Sequence, residues 1–121
     1  MKILGIDYGE RKIGLAISEG VLAEPLKIVK SNRQIVSICQ KEGIEKIVVG
    51  ISEGKMAERA RKFGRGLGKI TGLPVKFQDE TLTSQEAVAK MKEIGKRVKD
   101  EDAISAALIL QEYLETQKRR I

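Results

Sequence analysis

Short apolar runs separated by polar turns fill the first thirty residues and predict three β-strands. The run Ile3–Ile6 is followed, after a polar turn, by a second run over Ile13–Ile17. Two such runs joined by a short glycine-containing turn are typical of a β-hairpin. A third run, Leu26–Val29, follows a break at Glu24-Pro25 and predicts a third strand.

Beyond this region the hydrophobic pattern alternates between helix and strand. A capping box at Ser31–Gln34 opens a helix that ends at Gly43, and the β-branched run Ile47–Ile51 predicts a strand buried on both faces. Apolar residues three and four positions apart predict an amphipathic helix between Met56 and Ile70. Three further elements follow: a strand from Leu73 into Gln78-Asp79-Glu80, a helix opened by a capping box at Thr83–Glu86, and a last helix over about Asp100–Thr116.

The element order βββαβαβαα fits a single domain over residues 1–121. Three meandering strands followed by two strand–helix crossovers predict an α/β fold. Its five-stranded mixed sheet has three antiparallel strands, then two parallel strands reached through crossover helices, with helices on both faces. In the amphipathic helix, close packing or fraying is expected at three glycines, Gly64, Gly66 and Gly68.

Composition removes several classes of chemistry. The chain has no histidine, which excludes Ser-His-Asp hydrolysis and His-ligated zinc. Its single cysteine, Cys39, fits a reducing compartment, and no apolar run is long enough for a membrane span, so a cytoplasmic location is expected. With no tryptophan, two tyrosines and two phenylalanines, base stacking on an aromatic platform is not expected. The formal net charge of +6 suits nucleic acid as a partner, although it also fits a merely basic surface.

Asp7 is the carboxylate that most needs an explanation. It ends an otherwise apolar strand, where a buried carboxylate is costly without a partner or a metal ion. Gly5, Gly9 and Gly14 surround it and indicate that backbone or ligand approaches closely.

Two other acidic positions could converge with Asp7. Asp79-Glu80 ends a later strand, and Asp102 lies in the first turn of the last helix. Strand ends and a helix start could bring three carboxylates together as an oxygen-ligand set for Mg²⁺ or Mn²⁺. Simpler interpretations stay open: Asp100 as a helix N-cap, Asp102 as an ordinary first-turn acid, and 79–81 as a plain turn.

At this point the chain resembles a known family. Gly5–Gly9 with Ile13–Ala16 looks like the opening of the YqgF/RuvX family of Holliday-junction resolvase-like proteins and pre-16S rRNA nucleases. The likeness covers essentially the whole chain in order. It continues through Ile47–Gly50, Leu73–Val75, Asp79–Ser84 and Asp102–Gln111.

The resemblance implies a ribonuclease H-like fold and a catalytic, metal-binding triad of Asp7, Glu80 and Asp102, with Asp79 as an alternative to Glu80. It implies metal-dependent hydrolysis of phosphodiester bonds in a structured RNA, most concretely a ribosomal RNA precursor, by a monomer or homodimer. The residues expected to contact the nucleic-acid backbone are Arg11, Lys12, Arg59, Arg61, Lys96, Arg97 and Lys99.

The chain departs from the family at two places. Thr81 stands where the family usually has arginine, and the loop at 51–55 is shorter than usual. These two departures favour an inactive nucleic-acid-binding module as an alternative function. A DNA branch-junction resolvase also stays open. The Gly-Ile-Asp-Tyr-Gly segment also resembles the phosphate-binding hairpin of actin-like ATPases, but those proteins need two lobes.

Overall fold

The computed structural model of the protein describes residues 1–52, 54–79, 93 and 101–119. This part of the chain contains five strands, β1 Ile3–Tyr8, β2 Ile13–Ser18, β3 Ala23–Val29, β4 Lys46–Ile51 and β5 Val75–Asp79. Its helices are α1 Asn32–Glu42, α2 Lys55–Thr71 and α3 Glu101–Arg119. The helix predicted to begin at the capping box of residues 83–86 lies outside the described residues.

The five strands form one mixed sheet in the order β3-β2-β1-β4-β5. β1 pairs antiparallel with β2, and β2 pairs antiparallel with β3. β4 lies parallel to β1, and β5 lies parallel to β4. The predicted combination of an antiparallel meander and two parallel crossover strands is therefore confirmed.

Helices cover both faces of the sheet, as predicted. Leu4 and Ile6 of β1 belong to a core cluster that includes Ile35 of α1 and Leu67 of α2. Ile3 points to the opposite face and joins a second cluster with residues of α3, among them Ala106 and Leu110. Since successive residues of a strand point to opposite faces, β1 contributes to both layers of the core.

β3 starts three residues earlier than the sequence predicts and contains Pro25, where a break was expected. Pro25 pairs with Ala16 next to an irregularity in the β2–β3 register at Leu15/Ala16. β3 is an edge strand of the sheet. A proline is tolerated there because an edge strand leaves one side of its backbone without a ladder partner.

The two ends of α1 agree with the sequence, whereas Ile70, the last residue of the predicted apolar stripe of α2, is exposed. The hydroxyl oxygen of Ser31 accepts a hydrogen bond from the Gln34 backbone N–H at 3.4 Å, and the Gln34 side chain accepts one from the N–H of Lys30 at 2.8 Å. Gly43 ends α1 in the left-handed conformation, with a φ of 67°. No helix in the described ranges is long and apolar enough to span a bilayer.

Candidate functional site

Asp7 lies near the carboxyl end of the central strand, on the face covered by α3. In the β1–β2 register it is opposite Gly14, and Gly5 is opposite Ala16. A Cβ atom added to Gly5 would lie 2.7 Å from Cβ of Leu110 in α3. Because Asp7 follows Gly5 by two positions, both occupy the same face of β1, and Asp7 is partly buried there.

The start of α3 lies directly against Gly14, the residue that pairs with Asp7 in the sheet. A Cβ added to Gly14 would lie 2.0 Å from the carbonyl oxygen of Asp102 and 2.4 Å from its carbonyl carbon. The backbone of Asp102 therefore occupies the space that a side chain at position 14 would need. The register places Asp7 beside Gly14, so the structure brings Asp7 and Asp102 to the same end of the same sheet face.

Contacts further along α3 fix its position over the antiparallel strands. The side-chain oxygen of Gln111 accepts a hydrogen bond from the N–H of Ala23 at 2.9 Å, and its amide nitrogen donates to the carbonyl of Val21 at 3.2 Å. Gln111 is buried. A buried amide that satisfies backbone groups of the β2–β3 hairpin ties α3 to the sheet, and the rigid helix holds Asp102 at its first turn.

Of the three other acidic residues that the sequence suggested for this site, the structure describes one, Asp79. Glu80, the third member of the predicted triad, and Asp100 lie outside the described residues. Asp79 is exposed, and its position in β5 places it on the face of Val75 and Phe77, which pack beside α2 rather than α3. Among the side chains that the structure does describe, no three acidic, cysteine or histidine groups form a metal cluster.

Four of the basic residues predicted to contact nucleic acid are described by the structure, two in the β1–β2 turn and two on α2. Arg11 and Lys12 are exposed in the turn between β1 and β2, directly after the strand that carries Asp7. Arg59 and Arg61 are exposed on α2, and Arg59 forms an ion pair with Glu10. Lys96, Arg97 and Lys99 fall outside the residues that the structure describes.

A cleft on the α1/α2 side of the same strand end was not predicted from the sequence. Its volume is about 400 Å³, and it lies between the β1–β2 turn, the start of α1 and one face of α2. The rings of Tyr8 and Phe63 are 4.5 Å apart between centroids with an interplanar angle of 31°. The cleft is lined by Tyr8, Gly9, Glu10, Ile13, Lys30, Ser31, Asn32, Arg59, Lys62, Phe63 and Gly66.

Cys39 belongs neither to the site around Asp7 and Asp102 nor to the lining of the cleft. It is buried in the α1 side of the core, and burial raises the pKa of its thiol. A buried thiol with a raised pKa stays protonated near neutral pH and is a poor nucleophile.

The comparison that decides the family is a match to its model over nearly the entire sequence. Residues 1–116 match the model described as "RuvX: Holliday junction resolvase". The chain belongs to the RuvX family. The resemblance drawn from the hairpin around Asp7 and from the later motifs is therefore confirmed.

Curated relatives of this RuvX chain carry a name that points to RNA. A protein of Caldanaerobacter subterraneus subsp. tengcongensis named "Putative pre-16S rRNA nuclease" is 35% identical, covering 98% of this chain and 99% of the relative. A protein of Syntrophus aciditrophicus with the same name is 39% identical, covering 95% of this chain and 89% of the relative.

Solved structures similar to this RuvX chain confirm its ribonuclease H-like fold. RuvC of T. thermophilus in complex with a Holliday junction substrate has a TM-score of 0.69 at 16% identity, covering 98% of this chain and 96% of RuvC. The Fowlpox virus resolvase with Holliday junction DNA has a TM-score of 0.65 at 14% identity, covering 97% of this chain and 99% of the resolvase.

Proposed function

We propose that this protein is a metal-dependent nuclease that hydrolyses phosphodiester bonds during maturation of the 5′ end of pre-16S rRNA, in the cytoplasm. The observation that carries the proposal is the contact of the Asp102 backbone with Gly14, the residue paired with Asp7. It brings two acids from opposite ends of the sequence to one strand end. The curated relatives supply the RNA substrate, because their shared name specifies it.

The chemistry of the donor set fits a hard divalent cation. Asp7 and Asp102 offer carboxylate oxygens, and the chain has no histidine that would favour a softer metal. We assign Asp7, Asp102 and Glu80 as the residues that would hold Mg²⁺ or Mn²⁺. When bound, such a cation lowers the pKa of a water molecule and offsets the charge that develops on the phosphate.

Residues of the protein would hold the two carboxylates in place and would supply positive charge to bind the phosphates of the substrate. Asp7 is held on the central strand of the sheet, and Gln111 ties α3 to the neighbouring β2–β3 hairpin, so the two carboxylates have a rigid support. Arg11 and Lys12 follow Asp7 in an exposed turn, where their positive charges would contact phosphates that flank the reacting one. These contacts orient the polynucleotide and carry no base preference by themselves.

Asp7→Asn and Asp102→Asn test the assignment. Each variant keeps the side-chain shape but loses a charged oxygen, and cleavage of a precursor rRNA fragment in Mg²⁺ should fall roughly 100-fold or more, since metal catalysis is worth several kcal/mol. Chelation of the divalent cation with EDTA should abolish cleavage by the parent protein.

Asp79→Asn is the matched control, because Asp79 lies on the other face of the sheet. It should leave the rate within about twofold of the parent, which is an energetic difference well below 1 kcal/mol. Parent-like activity of Asp7→Asn would contradict the catalytic assignment, and activity that persists in EDTA would contradict the metal.

Cleavage of branched DNA is the second candidate function, because the family model carries the description of a Holliday junction resolvase. Cutting two strands of a four-way junction symmetrically requires a symmetric dimer. Four-way DNA junctions and precursor rRNA should therefore be assayed side by side with the same preparation. Faster cleavage of the junction by a dimeric protein would favour the DNA function over the RNA function.

A further inference from the structure

The cleft beside Tyr8 has an electrostatic character that the candidate hydrolytic site does not explain. Lys30, Arg59 and Lys62 bring three positive charges to its lining. Glu10 is the acidic residue among its described lining groups, and it is already paired with Arg59. A concave surface with this balance attracts an anion such as a phosphodiester.

Two aromatic side chains, those of Tyr8 and Phe63, form an apolar part of the cleft lining. Tyr8 and Phe63 are partly exposed and pack with their ring centroids 4.5 Å apart. The whole chain has two tyrosines and two phenylalanines, so folding places half of these aromatic side chains at one point. The composition argued against a stacking platform, but two rings in one cleft are enough to receive a base.

The cleft adjoins the strand end that carries Asp7. Tyr8 follows Asp7 directly, and successive residues of a strand point to opposite faces. Gly9 and Glu10 then continue from this strand end into the cleft lining. A polynucleotide that crosses the β1–β2 turn would therefore lie near Asp7 on one side and near the cleft on the other.

We propose that this cleft binds unpaired nucleotides of the RNA strand next to the bond that is cleaved. Lys30 and Lys62 would contact the phosphates, and Tyr8 with Phe63 would stack on a base. Arg59, held in its ion pair with Glu10, lies in the same lining. The inference rests on the proposed nuclease function for its substrate and adds a strand preference to it. An unpaired strand is required because pairing and stacking in a duplex hide the base faces that an aromatic ring contacts.

Tyrosine fluorescence gives a direct readout of stacking. The chain has no tryptophan, so in a Tyr113→Phe protein Tyr8 is the sole tyrosine. Tyr113 lies in α3, on the opposite face of the sheet. In EDTA, a short oligouridine should quench Tyr8 emission, whereas an oligomer of the same length without bases should not. Equal quenching by both oligomers would overturn the stacking contact.

Phe63→Leu tests the ring with little change in apolar volume, and Phe77→Leu is its matched control. Phe77 packs against Gly64 of α2 and does not line the cleft. Affinity for the oligouridine should fall roughly 10-fold in Phe63→Leu, since one base–aromatic stack has about this effect, and should stay unchanged in Phe77→Leu. Equal affinities of the two variants, or equal binding of a duplex by the parent, would contradict the proposal.

Lys62→Ala tests the phosphate contact, with Lys69→Ala as its control on the same helix. Both changes remove one positive charge, but Lys69 does not line the cleft. The slope of log affinity against log salt should become shallower by about 0.7 in Lys62→Ala, the value for one phosphate contact on a single strand, and should not change in Lys69→Ala. The same slope in both variants would assign the effect to net charge and overturn the subsite.

These binding measurements are independent of catalysis because they are made in EDTA. Quenching and the Phe63 effect without any RNA cleavage in Mg²⁺ would support the subsite while the nuclease proposal fails. Cleavage by the parent with an identical rate in Phe63→Leu and no quenching would leave the nuclease standing and overturn the subsite.

Discussion

A methyl group at position 14 would have its nearest neighbour 2.0 Å away, on the carbonyl oxygen of Asp102. The neighbour is backbone, so it cannot move aside by a change of rotamer. Position 14 therefore controls how closely α3 approaches the strand pair that carries Asp7. Glycine is needed here for its small size, and not for a left-handed conformation, since its φ is not positive.

Gly14→Ala should consequently damage both stability and activity. We expect a loss of about 1–3 kcal/mol in the free energy of unfolding, typical of overpacking, measured by urea denaturation. Cleavage should fall further than the folded fraction does, because α3 and Asp102 shift relative to Asp7. A variant with parent stability and parent cleavage rate would show that the helix contact has no role in the site.

The sequence indicated part of this arrangement at the level of single residues. Glycines on both sides of Asp7 predicted a close approach, and the structure shows α3 against Gly5 and Gly14 and the carbonyl of Lys12 against Gly9. The identity of the approaching group could not be predicted, because position 102 is far from position 14 along the chain. Catalytic roles for Asp7, Glu80 and Asp102 stay predictions.

At the scale of elements, α2 shows how glycines in one helix can have different reasons to be there. A Cβ at Gly64 would lie 2.8 Å from the ring of Phe77, and one at Gly68 would lie 3.1 Å from a methyl group of Val75. Nothing lies within 4 Å of a Cβ at Gly66. Two of the three glycines therefore allow α2 to pack closely on β5, which was one of the two predicted explanations.

This difference predicts that the same substitution will stabilise the protein at Gly66 and will not do so at Gly64. Gly66→Ala should stabilise the protein by about 1 kcal/mol, the usual gain from alanine over glycine inside a helix. Gly64→Ala gains the same propensity but must displace the Phe77 ring, so it should be no more stable than the parent. The urea midpoints of the two variants, compared at an unchanged m value, measure their stability relative to the parent. Equal stabilisation by both would contradict the packing role.

The elements themselves were largely predictable because their signals are local. The capping box at Ser31–Gln34 and the left-handed Gly43 bound α1 as expected, and the β-branched run at 47–51 became β4. The early start of β3 was missed, since the tolerance for Pro25 depends on β3 lying at the edge of the sheet. The cleft was missed for a related reason: Tyr8 and Phe63 meet only after α2 packs on the sheet.

For the molecule as a whole, the formal charge of +6 is a better guide to partners than to stability. The Glu10–Arg59 ion pair illustrates this difference. About half of each side chain is exposed, 57% for Glu10 and 53% for Arg59. An ion pair this exposed contributes little to folding, but it occupies a guanidinium that lines the cleft.

Glu10→Gln should therefore leave the free energy of unfolding within about 0.5 kcal/mol of the parent and raise the affinity for single-stranded RNA. Release of Arg59 adds one cation that can contact a phosphate, so the dependence of affinity on salt should become steeper. Fluorescence anisotropy with a labelled oligomer over a range of salt concentrations measures both effects.

Glu19→Gln is the control for net charge. It makes the same change in charge, but Glu19 pairs with Lys2 at 3.5 Å, at the end of β1 opposite the cleft. It should change RNA affinity much less than Glu10→Gln does. Equal gains in the two variants would mean that overall charge, and not the freed Arg59, controls binding.

The placement of Asp102 on α3 has a consequence for the timing of activity during synthesis. A chain leaves the ribosome with its first residues in front, so Asp7 and its strand emerge long before α3. Until α3 follows, a nascent chain has one of the two acids and an uncovered sheet face. If Asp7 and Asp102 act together as proposed, cleavage activity begins only after α3 has been synthesised and has packed on the sheet.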